Sequence, residues 1–191
     1  MGGAGIVLVK FGWAAAGMPG GQLLKIRPDL AARLWPDPDD ARFASEFGIP
    51  CAGGLFSMMS GVAGENPGRP ADSYEDEPES EPEDTPVGRL FRFGCFSDDT
   101  ALYVRAADGT IWFADPNSDL EYEPAHRDLS SLVYLLYLLD RERPVEGGYA
   151  SYEQWDESFR MISEKITRWD DLPCAEPDGY WGRFFDSCPM Y

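Results

Sequence analysis

Three short stretches between residues 88 and 115 constrain the fold of this chain more than anything else in it. In "GRLFRFGCF", Phe91 and Phe93 alternate with Leu90 and Arg92. In "TALYVRA", Leu102 and Val104 alternate with Tyr103 and Arg105. In "TIWFAD", Ile111 and Phe113 stand opposite Trp112. A period of two in strand-forming residues predicts strands with one buried face. Ala107-Asp108-Gly109 separates the second stretch from the third, and Asp-Gly is a strong tight-turn signal. Ser97-Asp98-Asp99 makes the turn before it. Residues 120–123 ("LEYE") are expected to add a fourth strand after a turn at Pro116-Asn117-Ser118. The pattern is an antiparallel meander.

The period then changes. In "RDLSSLVYLLYLLDRER", residues 127–143, apolar side chains cover nearly every side, as in a buried helix. Asp128 or Ser130 is placed to cap it. Ser151 and Gln154 form a capping box, and Trp155, Phe159, Ile162, Ile166 and Trp169 then recur at spacings of four and three, one continuous apolar stripe. Asp156 with Arg160 and Glu164 with Arg168 are spaced as i,i+4 pairs. Tyr180, Trp181, Phe184 and Phe185 predict a short last helix. Upstream, residues 38–47 read as a helix with Pro38 in its first turn, Asp37 as its cap and Gly48 with Pro50 ending it. Residues 51–59 read as a strand or buried turn, residues 6–11 as a strand, and Gly17 to Gly21 as a break. Strands followed by helices predict an α+β fold, helices packed on one antiparallel sheet, in a single domain spanning 1–191.

Charge excludes some functions. The formal net charge is −18, which argues against nucleic acid and anionic membrane as direct ligands, since both are bound through Lys and Arg. Residues 65–84 hold nine acids and one arginine, while residues 97–145 and 146–191 each hold ten acids and four bases. The acidity therefore extends well beyond the proline-rich stretch at 65–86, which is expected to be a solvated loop. Seven acids lie in its "SYEDEPESEPED" section: Glu75, Asp76, Glu77, Glu79, Glu81, Glu83 and Asp84. If they act, they steer a basic partner.

No catalytic, cofactor or metal site is expected. The four cysteines, Cys51, Cys95, Cys174 and Cys188, form no C-x-x-C and read as reduced thiols of a cytoplasmic protein. His126, the single histidine, must serve any triad built on Cys51, Cys95 or a serine; a loop or helix-edge role fits it better. "GMPGG" lacks the Gly-Lys-Ser/Thr of a phosphate loop. "DPNSDLEYE", residues 115–123, lacks the central glycine and last glutamate of a calcium loop. Abundant pairs such as Asp170/Asp171 read as surface charge. Most aromatics read as core. Trp112 and Tyr122 fall on the opposite strand phase and are expected to be exposed. With Asp98, Asp99, Asp115, Asp119, Glu121 and Glu123 around them, they form the candidate partner-binding surface.

"ASEFGIPCAGGLF", then "LFRFGCFSDDTALYVRAADGTIWFAD", then the buried helix, and finally "WDDLPCAEPDGYWGRFFDS", together resemble the SUKH superfamily (Smi/Knr-like), and within it the fourth immunity-protein subgroup of actinobacterial polymorphic toxin systems. The resemblance runs from about Phe43 onward. In two places this chain departs from the pattern: its acidic insert is longer, and "HRDLSS" stands where an Asn-Ser type turn leads into the buried helix. The resemblance implies a SUKH-like fold and a non-enzymatic protein that neutralises a cognate toxin, often a nuclease or nucleic-acid deaminase; the free protein is expected to be a monomer. A cytosolic adaptor or regulatory binding module of the same fold is the alternative.

Overall fold

A computed structural model of the protein describes residues 23–64, the backbone of 74–75, and residues 81–97, 99–144 and 151–187. Its elements in chain order are β1 (Leu23–Leu24), α1 (Pro28–Leu34), α2 (Pro38–Arg42), β2 (Ile49–Pro50), β3 (Phe56–Met59), β4 (Tyr74–Glu75), β5 (Glu83–Thr85), β6 (Gly88–Phe96), β7 (Ala101–Arg105), β8 (Ile111–Ala114), β9 (Glu123–His126), α3 (Leu129–Glu142), α4 (Tyr152–Thr167) and α5 (Tyr180–Ser187). The fold is α+β. The main sheet runs β4-β3-β6-β7-β8-β9, with β5 also paired to β6, and its β6–β9 part is the antiparallel meander.

The alternation in the sequence sorts side chains between two cores. Phe91, Phe93, Leu102, Val104, Ile111 and Phe113 face the main core beneath the helices. Leu90, Tyr103 and Trp112 face a second, smaller cluster. A bulge between Arg92 and Gly94 resets the phase, so Phe96 returns to the main core. Gly94 permits the close approach of β3: a Cβ there would lie 2.5 Å from both the Phe56 ring and the Ser57 carbonyl oxygen. At the Asp108-Gly109 turn, Gly109 takes φ +79° and donates its N–H to the Arg105 carbonyl.

α3 is buried along most of its surface, from Leu129 to Leu139, and Asp128 caps it by accepting the Ser131 N–H. The capping box of α4 is formed between Ser151 and Gln154. Phe159, Ile162 and Ile166 of α4 are buried, and Lys165 reaches Glu142 of α3 at 2.7 Å. Asp37 caps α2 through the Asp39 N–H. The chain then widens into a π-type segment at Phe43–Phe47 and stops at Gly48.

Several expectations need correction. α1 was not read from the sequence, although Pro28 at its start, Asp29 in its first turn and Arg33 in its last are ordinary helix signals. The fourth meander strand is Glu123–His126, three residues later than expected. Side chains capture the segment before it: Asp115 accepts the Asn117 N–H at 2.8 Å and Ser118 Oγ accepts the Leu120 N–H at 3.1 Å. Two pieces of the acidic stretch, β4 and β5, are strands rather than loop. Trp169 lies past the end of α4 and is 45% exposed, so the apolar stripe ends at Ile166. Arg160 pairs with Glu157 and Glu164, so the ion pairs differ from the expected Asp156–Arg160 and Glu164–Arg168. Residues 6–11, Gly17 to Gly21 and Cys188 lie outside the described residues.

Candidate functional site

The end of the sheet formed by β9 carries two features: a buried chain of polar side chains and, outside it, an apolar groove rimmed by acids. The buried chain begins at Trp181, whose indole N–H donates to His126 Nε2 at 2.9 Å. Nε2 must therefore carry the lone pair, which assigns the imidazole proton to Nδ1. Nδ1 lies 2.9 Å from Ser131 Oγ and donates to it. Ser131 in turn donates to Asp170 Oδ2 at 2.6 Å. The same carboxylate accepts the Arg127 N–H at 2.8 Å and, on Oδ1, the Leu172 N–H at 3.1 Å. His126, Ser131 and Asp170 are all buried. The expected loop or helix-edge position for His126 is thus corrected: it sits inside, on β9.

The order of these bonds bears on chemistry. A nucleophilic serine gives its proton to histidine, which is held by a carboxylate. Here histidine donates to serine, and serine donates to the carboxylate. The arrangement orients the chain ends and leaves Ser131 unactivated. Cys51 and Cys95 are buried. Among the described residues, no group of three or more His, Cys, Asp or Glu is arranged to hold a metal ion.

Burial pushes the His126 pKa down to about 3. The unfolded chain, with an ordinary histidine, takes up a proton below about pH 6.5 that the folded chain refuses. This stability is present above that pH and is lost as pH falls toward 3, by up to about 1.4 kcal/mol per pH unit. Denaturant titrations of the wild type and His126→Gln from pH 7 to pH 4 should give stability curves that converge on acidification. Parallel curves would refute the assignment. Glu123, whose pKa is raised chiefly by burial, works in the opposite direction but is common to both proteins.

The candidate partner residues divide. Trp112, expected to be exposed, is buried at 9% in the second cluster, because β7 places Tyr103 directly opposite it and Arg105 lies 5.0 Å over its ring. Asp115 and Glu123 are buried and structural. Arg183 binds Asp115 at 2.5 Å and stands 3.7 Å from Glu123, which also accepts the Tyr180 N–H at 2.7 Å. Tyr122 is half-buried, edge-on to Tyr103 at 5.7 Å; burial first, then the charges of Glu83 and Glu121, raise its pKa. Asp99, Asp119, Glu121, Glu81, Glu83 and Asp84 are exposed. Asp98, Asp76, Glu77 and Glu79 lie outside the described residues, and Glu75 is described only as backbone of β4.

Sequence reading missed the groove that one of these exposed acids, Asp119, helps to line. Leu120 is 58% exposed between Asp119 and Glu121. Next to it opens a groove of about 760 Å³, formed by residues 117–120, the start of β9 and residues 172–183. Glu176 and Asp178 also line it and are exposed. A second cavity of about 810 Å³ has a different character, with Arg143 beside Trp155, Phe159 and Phe184. A single apolar residue in an acidic turn was the signal available for Leu120. Glu176 and Asp178 carry none, because only folding brings them into the groove that Asp119 also lines.

Among the described residues, no helix is long and apolar enough to cross a membrane. The model of a family described as SUKH-4 immunity protein matches residues 13–187. No curated protein and no solved structure matches the chain.

Proposed function

The chain belongs to the SUKH-4 immunity protein family, and we propose that it neutralises a basic cognate toxin, a nuclease or nucleic-acid deaminase, by covering the toxin's substrate surface. The observation that carries this reading is the family match over residues 13–187 in a chain of net charge −18. A toxin acting on nucleic acid needs a basic surface to hold phosphates. An acidic inhibitor is drawn to that surface by long-range attraction, which raises the association rate by about 10–10³-fold at low salt. Apolar contacts at the interface then set the dissociation rate. The protein acts by binding, without chemistry of its own, and the reversed order of donors at His126 and Ser131 supports this. It works as a monomer in the cytoplasm, as one domain.

Co-expression with the toxin encoded beside its gene tests the proposal. Wild type is expected to restore growth and to be recovered in a complex with the toxin; neither rescue nor complex would sink the reading. Within that complex, the seven acids from Glu75 to Asp84 act by steering. Replacing Glu and Asp there by Gln and Asn should slow association by about tenfold at low salt and flatten its salt dependence. Folding should be unchanged. An association rate equal to wild type would leave that stretch without a role in steering.

A further inference from the structure

We propose that the groove beside β9 is where the partner docks, and that it takes a protein segment in which lysine or arginine alternates with a bulky apolar side chain. The proposal rests on the immunity reading and deepens it by naming the surface. The groove's volume of about 760 Å³ is enough for one or two large side chains. Ala125, Leu172 and Pro173 give it an apolar lining, and Leu120 stands 58% exposed at its mouth. An exposed leucine next to an apolar groove is the kind of anchor that protein interfaces bury.

Charge decides what kind of segment fits. Asp119, Glu176 and Asp178 line the groove with exposed carboxylates. Among the described residues Arg183 is the one cation lining it, and Arg183 is already bound by Asp115 and Glu123. The groove thus presents anions around an apolar floor, complementary to a basic and apolar segment. The cavity of about 810 Å³ is lined by Arg143 as well as Arg183 and lacks that complementarity. The groove's own rigidity comes from the buried chain behind it. Trp181 bonds His126 and Tyr180 bonds Glu123, which hold its two walls together.

The test uses defined peptides and the full chain. A hexapeptide alternating lysine and leucine is titrated into methyl-labelled protein and followed by NMR, with a glutamate–leucine hexapeptide as control. The lysine peptide should shift the methyl signals of Leu120, Ala125 and Leu172, and the glutamate peptide should leave them unmoved. The triple variant Asp119→Lys, Glu176→Lys, Asp178→Lys changes only exposed side chains, so it should fold as the wild type does. It should weaken the lysine peptide by at least about tenfold. Leu120→Ser should weaken it while leaving the salt dependence as it was. The assignment is overturned by no binding, by shifts centred on the Leu55 and Leu139 methyls of the other cavity or on the Thr85 and Val87 methyls beside Glu81 to Asp84, or by equal affinity for the triple variant. Rescue from the toxin separates the two readings. If the triple variant protects cells as well as wild type does, the groove proposal falls and the immunity reading stands. If wild type fails to protect, the immunity reading falls and the peptide titration still decides the groove.

Discussion

Asp170→Ala will cost the fold about 3–5 kcal/mol, because it leaves three inward-facing donors without their acceptor. Asp170 is 1% exposed and satisfies three donors: the Ser131 hydroxyl, the Arg127 N–H and the Leu172 N–H. Alanine cannot accept from any of them. Each donor left buried and unpaired costs about 1–3 kcal/mol. The Arg127 guanidinium, 3.8 Å away and mostly exposed, adds little because water screens it. Asp170→Asn keeps an acceptor oxygen and should lose clearly less than the alanine variant. Urea denaturation, read as the change in midpoint at constant slope, measures both. A loss below about 1 kcal/mol for Asp170→Ala would mean that the chain of donors contributes little.

Trp181→Ala is expected to be comparably severe, at about 3–5 kcal/mol, by a different route. Trp181 is 2% exposed and packs against Phe96 at 5.5 Å, Phe113 at 5.9 Å and Phe185 at 6.0 Å between ring centroids. Its removal leaves a large cavity and deprives His126 Nε2 of its donor. α5, at eight residues, is too short to persist without this anchor. Trp181→Phe separates the two contributions, because it keeps most of the ring packing and loses the N–H. It should cost about 1–3 kcal/mol. Because Trp181 and Asp170 sit at opposite ends of one hydrogen-bonded chain, the double variant should lose less than the sum of the singles. Strict additivity would show that the chain does not act as a unit.

Much of the scaffold is legible before folding. The alternation holds side chain by side chain through β7 and β8, and in β6 as far as the bulge before Gly94, since strand geometry sends successive residues to opposite faces. The caps at Asp37, Asp128 and Ser151 are where the sequence places them, because a cap is a contact between residues two or three apart. The errors share a cause. Trp112 has the phase of an outward residue, yet a second cluster covers that face. Asp115 and Glu123 look like surface acids, yet Arg183, 68 residues beyond Asp115, turns them inward. The strand that starts at Glu123 is misplaced because Asp115 and Ser118 bind backbone amides that a strand would have used.

The sequence by itself determined the α+β class, the meander, the helix caps, the acidic character and the family pattern. Each depends on local spacing or on summed charge, and neither needs to know which distant residues meet. Tertiary structure alone decided the candidate site. It chose which carboxylates are buried against Arg183 and which stay exposed, it joined Trp181 to His126 across 55 residues, and it brought Glu176 and Asp178 into the groove that Asp119 also lines. A side chain's charge is written in the chain, but whether that charge is neutralised, buried or offered to a partner depends on contacts formed only when distant segments pack.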